Sequence, residues 1–162
     1  VISNAINKLS LTTATLLFVL YSVINGATLS VIFMIYTAES ITNVFFITAA
    51  TFGVMSLIGY TTKTDLSSIG KMLLMGLIGL IIATIVNLFI GSSVLNMIIS
   101  YVGVLIFVGL TAYDTQKIKN MFAEAQDAGE FMQKIALIGA LTLYLDFINL
   151  FVHLLRILGD RK

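Results

Sequence analysis

The sequence predicts an all-α membrane protein: a polytopic bundle of transmembrane helices forming one domain. Hydrophobic residues make up 59% of the 162, only 10% are charged, and mean hydropathy is +1.05; about a quarter of an ordinary soluble domain is charged. The apolar residues fall in runs of roughly 20 divided by short polar breaks. That length crosses a ~30 Å hydrocarbon core at ~1.5 Å of rise per helical residue. The two-residue alternation of an outer-membrane strand is missing from these runs.

The first span covers about Leu11 to Tyr36, with Ser22, Asn25 and Gly26 as a small or polar patch at mid-membrane. Thr37 to Ser40 reads as a turn holding Glu39. The second span, about Ile41 to Tyr60, sets Ala49, Gly53 and Ser56 on one face, a small-residue spacing that lets a neighbouring backbone come close. Thr61 to Lys71 is a polar connection in which Asp65 is positioned to cap the next helix through its side-chain oxygen. The third span takes about Ile69 to Ile90, with Gly76, Gly79 and Ala83 on one face and Asn87 further along.

Gly91-Ser92-Ser93 is short enough to require a tight antiparallel hairpin. In the fourth span, about Val94 to Ala112, Asn96, Ser100, Gly103, Phe107 and Leu110 share one phase with Asp114 just beyond it. Lys117 to Lys134, which includes Glu124, Asp127 and Glu130, reads as a helical extension followed by a solvated loop without EF-hand spacing. The fifth span is Ile135 to Leu158, followed by the tail Gly159 to Lys162.

Within the fifth span Thr142, Asp146, Asn149, His153 and Arg156 recur at intervals of four, three, four and three, so they lie on one helical face. A carboxylate at the bilayer centre costs roughly 2.5 to 3.5 kcal/mol even on insertion scales. The stripe is therefore expected to face protein or water, with Asp146 its most expensive member. His153 is a candidate pH-responsive group, since its unperturbed pKa is ~6.5, although a single histidine near a helix end also fits a packing role. Arg156 reads as an anchor reaching the outer interface.

Charge and composition narrow the function classes. A formal charge of +1 supplies no broad basic surface for nucleic acid, and the absence of cysteine excludes disulfides, thiolate metal sites and a cysteine nucleophile. No signal peptide is expected, because no charged n-region with a cleavage site opens the chain. Five alternating spans put Lys8, Lys63, Lys71, Lys117, Lys119 and Lys134 on one side and Arg156, Arg161 and Lys162 on the other. The lysine-rich side is expected to be cytoplasmic. A re-entrant last span would put all nine on that side; a full crossing is favoured because 24 residues suffice and no proline breaks them.

Asp114 and Asp146 are the two carboxylates out of place. If they meet, mutual repulsion and low dielectric favour one shared proton. Such a pair is a latch: protonated, it joins two helices; deprotonated, it repels itself or binds a hard cation such as calcium. Depth opposes the meeting, since Asp146 is 12 residues from Lys134, about 18 Å of helix, and Asp114 only 3 from Lys117.

The segments GLTAYDTQKIK (Gly109 to Lys119) and ALTLYLDFINLFVHLLRILG (Ala140 to Gly159), with NGATLSVIFMIYTAESI (Asn25 to Ile41) and GYTTKTDLSSIG (Gly59 to Gly70), resemble the Bax inhibitor-1 family of transmembrane proteins in a bacterial form. The resemblance spans nearly the whole chain. It implies a seven-helix fold with the last helix central, in a bacterial inner membrane. It also implies a pH-sensitive calcium leak whose paired aspartates sense pH and gate the path, matching Asp114 and Asp146. From their place on the same stripe, Thr142, Asn149 and His153 are candidate supporting residues, Asn149 as a neighbour that can hold Asp146. Calcium and protons are the expected partners besides the bilayer, and no cofactor is expected. The family's first two helices, including a basic residue in the second that engages the aspartates, have no counterpart among these five spans.

Three other classes compete. Intramembrane aspartyl proteases also place one aspartate in each of two helices, and Tyr113-Asp114 imitates their YD motif. However, LYL stands before Asp146 where GxG is required, and no proline is present for a PAL motif, so no enzyme is expected. A non-conducting regulator of other membrane proteins has no identifying peptide motif. A proton-coupled transporter lacks the inverted repeat such folds carry.

Overall fold

A computed structural model describes residues 10–124 and 129–161; Lys8, Asp127 and Lys162 lie outside them. The elements are α1 (Leu11–Leu29), α2 (Ile32–Ile35), α3 (Ala38–Thr61), α4 (Ser67–Ile90), α5 (Ser93–Glu124) and α6 (Glu130–Leu158). Among the described residues five helical segments are long and apolar enough to cross a membrane, α1 and α2 together making the first. The protein is a polytopic integral membrane protein.

The first span differs from the single helix expected over 11–36. It breaks at Ser30 and Val31, where the chain tightens into three-residue turns: Phe33 N–H donates to Ser30 O at 3.1 Å and Met34 N–H to Val31 O at 2.9 Å. The Ser30 hydroxyl donates to Ala27 O, a local bond that competes with the regular helical ladder.

The other helix ends follow local chemistry. Thr37 caps α3, its Oγ1 accepting from Ser40 N–H at 3.2 Å, and Glu39 sits in the first turn at the positive end of the helix dipole. Asp65 Oδ1 accepts from Ser67 N–H at 3.0 Å and Ser67 Oγ–H at 2.7 Å, which meets the capping expectation one residue before the formal cap. These bonds hold its carboxyl below the ordinary carboxylate range. Gly91, at φ +69°, ends α4 in the left-handed region and reverses the chain within the expected hairpin. Asn87 serves that turn, its Oδ1 accepting from Ser92 N–H at 3.0 Å.

Most threonines and serines inside the spans satisfy their hydroxyls locally, while Asn25 Nδ2 and Ser56 Oγ are buried without a partner. Thr48 and Thr111 are fully buried, and each hydroxyl donates at 2.7 Å to the carbonyl four residues earlier.

α5 packs against α3, α4 and α6, while α6 packs against α1, α3 and α5. The last helix is central, as expected, and shares that place with α5. One core joins Leu80 of α4 to Ile99, Ile106, Phe107 and Leu110 of α5 and to Leu150 of α6. A second joins Tyr36, Ile41 and Val44 to Phe151 and Leu155. Edge-on contacts of Phe45 and Phe52 with Phe147, at 5.6 and 5.4 Å between ring centres, tie α3 to α6.

The small-residue seams are met in part: on α4 Gly76 faces the Ile106 side chain of α5 and Ala83 packs against the first core. Gly53 and Gly79 are exposed, with open space where a Cβ would stand. The close approach on α3 is at Gly59, where a Cβ would collide with the Ala112 backbone of α5. Each glycine is useful only on the line that meets α5, and that line is shifted around the helix from Gly53.

The ends of the bundle are sorted consistently. At one, the α3–α4 connection lies along α5: Gln116 Nε2–H donates to Thr64 O at 2.7 Å and its Oε1 accepts from Leu66 N–H at 2.9 Å. Lys119 donates to Tyr60 O at 2.7 Å and lies over the Tyr60 ring. At the other end the tail is stitched to the start of α3, with Thr37 N–H donating to Asp160 O at 3.0 Å and Asp160 N–H to Ser40 Oγ at 2.7 Å. α6 is unbroken over 29 residues, about 44 Å at the helical rise, and its C-terminus lies at the opposite end from Gln116. The re-entrant alternative is thereby set aside.

Candidate functional site

The site is built where α5 and α6 run antiparallel. Its register is set by interlocking side chains: Ile118 meets Gly139, Phe107 lies 5.7 Å from the His153 ring, and His153 covers Gly103. The phase predicted for α5 holds, with Ser100, Gly103, Phe107 and Leu110 buried and Asp114 half-buried along it. The stripe on α6 also faces inward: Asp146 and His153 are buried, and Thr142, Asn149 and Arg156 are half-buried.

This packing brings the carboxyls of Asp114 and Asp146 within hydrogen-bonding reach of each other. The depth argument against contact is thus corrected. α5 continues as helix through Lys117 to Glu124, so Lys117 does not mark its end. Measured from the Ile118–Gly139 contact, Asp114 and Asp146 lie four and seven residues further in, a difference of about 4.5 Å along the helix axis.

Two carboxylates at such a distance cannot both be bare without strong repulsion, and a proton between them turns the contact into a hydrogen bond. Asp146 is only 5% exposed, and its Oδ2 is buried without a hydrogen-bond partner. A buried carboxylate oxygen left so has a large desolvation cost, which a shared proton or a passing cation removes.

The supporting residues act differently from the sequence expectation. Asn149, adjacent to Asp146 on the stripe, does not bond it: its Nδ2–H donates to Leu145 O of its own helix at 2.8 Å. His153 Nδ1 lies 2.6 Å from Asn149 O; a carbonyl oxygen only accepts, so the proton sits on Nδ1. Asn149 and His153 line a cavity of about 270 Å³ between α4, α5 and α6, with Thr84, Phe107 and Arg156 on its wall. Thr142 stays on the stripe one turn before Asp146. The stripe thus divides into a carboxyl pair and, one to two turns away, the Asn149 and His153 side of a largely apolar cavity.

Sequence reasoning did not single out Gln116, which is 8% exposed and joins α5 to the α3–α4 connection two residues after Asp114. Its signal was present: a glutamine in the same motif as the aspartate, on a helix with few polar residues. No group of three or more His, Asp or Glu that could hold a metal ion exists among the described residues. Calcium takes about six to eight oxygens, more than the four that two carboxyls supply.

A family model described as "Inhibitor of apoptosis-promoting Bax1" matches residues 1–162. The chain is similar to the inner membrane protein YbhL of Escherichia coli K12, 54% identical over 164 residues that cover 100% of this chain and 70% of YbhL. It is also similar to a protein of Borreliella burgdorferi, 57% identical over 161 residues covering 99% of this chain and 69% of that one. A third relative, RP147 of Rickettsia prowazekii, is 50% identical over 155 residues, with coverages of 96% and 65%.

Proposed function

The chain belongs to the Bax inhibitor-1 family, and from that premise we propose that it is a pH-sensitive calcium leak of a bacterial inner membrane, gated by the Asp114–Asp146 pair. The observation that carries the proposal is the meeting of these two carboxyls between the two central helices, with one buried oxygen unpartnered. With the proton present, the pair bonds α5 to α6. With the proton lost, two charges face each other at low dielectric; they part or take up a divalent cation. The cavity at Asn149 and His153 lies further along the same face of α6, toward the opposite end of the bundle. The natural location of YbhL supports the choice of membrane.

No catalytic role is proposed. The same carboxyl pairing would serve an aspartyl protease, but LYL stands before Asp146 where that class carries GxG.

The test is calcium entry into vesicles reconstituted with the full-length natural protein and loaded with a calcium-sensitive dye. Entry is expected to rise with pH as the pair loses its proton. Entry equal to that of protein-free vesicles at every pH between about 5 and 8 would remove the channel reading.

A further inference from the structure

At the end of the bundle away from the aspartates, a second cavity of about 300 Å³ is lined by Arg156, Arg161, Tyr36 and Asn96, with Ile35 and Leu155 on its apolar wall. The fold builds it from three separated segments. An antiparallel bridge joins Tyr36 to Arg161, the Arg161 guanidinium lies 5.9 Å above the Tyr36 ring, and the tail's bonds to Thr37 and Ser40 hold it there. Arg156 is half-buried in the last turn of α6. The carbonyls of a helix C-terminus favour a cation there but supply no full countercharge.

Neither arginine has an ion-pair partner among the described residues. The nearby acidic residues Glu39 and Asp160 are exposed and do not line the cavity. Two guanidinium groups converging on one cavity, beside an amide and a phenol, form a donor set matched to phosphate oxygens. The apolar wall and position select the source of that phosphate. The cavity sits where α6 ends and α2 begins the turn into α3, and α2 beside it exposes Phe33 and Met34, at 62% and 76%, apolar surface on which acyl chains can lie. We propose that this cavity binds the phosphate of an anionic glycerophospholipid, with Arg156 and Arg161 as its ligands and the lipid chains lying along α2. The proposal does not rest on calcium conduction, although Arg156 also borders the Asn149 and His153 cavity.

The experiment is native mass spectrometry of the full-length protein in neutral detergent, titrated with dioleoyl phosphatidylglycerol, dioleoyl phosphatidylcholine or inorganic phosphate. Phosphatidylglycerol is expected to remain bound at about tenfold lower concentration than phosphatidylcholine, and R156Q/R161Q should erase that preference. R161Q alone, at an exposed position, should reduce it several-fold while circular dichroism and the thermal transition stay as in the wild type. Equal retention of the two lipids, or an unchanged preference in both variants, would overturn the proposal. Complete displacement of phosphatidylglycerol by millimolar inorganic phosphate would overturn the lipid assignment in favour of a free-anion site.

Discussion

The imidazole of His153 fills the notch left by Gly103 on the facing helix: a Cβ at position 103 would land on the ring's Cδ2. The ring is held there by its 2.6 Å contact with Asn149 O and by Phe107. Gly103→Ala should therefore force the ring out and destabilise the protein by about 1 to 3 kcal/mol, the usual range for overpacking. Thermal unfolding in detergent reads the loss. Adding His153→Ala should recover part of it, whereas strictly additive losses would show that the two residues do not touch.

The aspartate pair predicts a specific variant pattern. Asp114→Asn and Asp146→Asn each leave one carboxyl facing a neutral amide, so the shared proton disappears and the pH response of calcium entry should flatten. Asp146→Asn should have the larger effect, because Asp146 is the more deeply buried and has the unpartnered oxygen. Dye-loaded vesicles measured between about pH 5 and 8 decide it; a wild-type profile in both variants removes these residues from the gate.

Gln116→Leu breaks both bonds between α5 and the α3–α4 connection and leaves Leu66 N–H and Thr64 O without that partner. A loss of about 1 to 3 kcal/mol is expected. Amide exchange at Leu66 should accelerate while exchange in mid-α5 does not. Unchanged protection at Leu66 would show that the glutamine does not hold the connection.

Asp65 predicts an acid-range effect outside the membrane. Its carboxyl lies below the ordinary value of 3.8 because Ser67 bonds the charged form. A depressed folded pKa favours the folded state above the ordinary value, and this contribution is lost as pH falls through the depressed one. The Ser67 amide resonance should therefore titrate with a midpoint below 3.8. Asp65→Asn should keep the cap but lose the titration, and Asp65→Ala should lose both. A Ser67 resonance that titrates identically in Asp65→Asn would assign the shift to another group.

Much of this molecule was legible because a bilayer permits few solutions. Every backbone group in hydrocarbon must bond within its own segment, so apolar runs about 20 residues long had to be helices, and the polar spacing from Thr142 to Arg156 had to face inward. The cap at Asp65, the hairpin at Gly91 and the buried phase from Ser100 to Leu110 rest on contacts within a few residues and were legible for that reason. The break at Ser30 and Val31 was not, since neither residue forbids helix.

Relations between distant segments belong to the tertiary structure. Spacing placed Ala49, Gly53 and Ser56 on one face, but only the packing of α3 on α5 determined that the close contact lies at Gly59. Distance from charged flanks separated Asp114 from Asp146; the register of α5 against α6, fixed at Ile118–Gly139 and Gly103–His153, brought their carboxyls together. By itself the sequence determined which helices form and which faces carry polar groups, because those follow from the solvent and the helical period. Which polar groups meet was decided by packing, because interhelical register depends on side-chain shapes contributed by residues far apart in the chain.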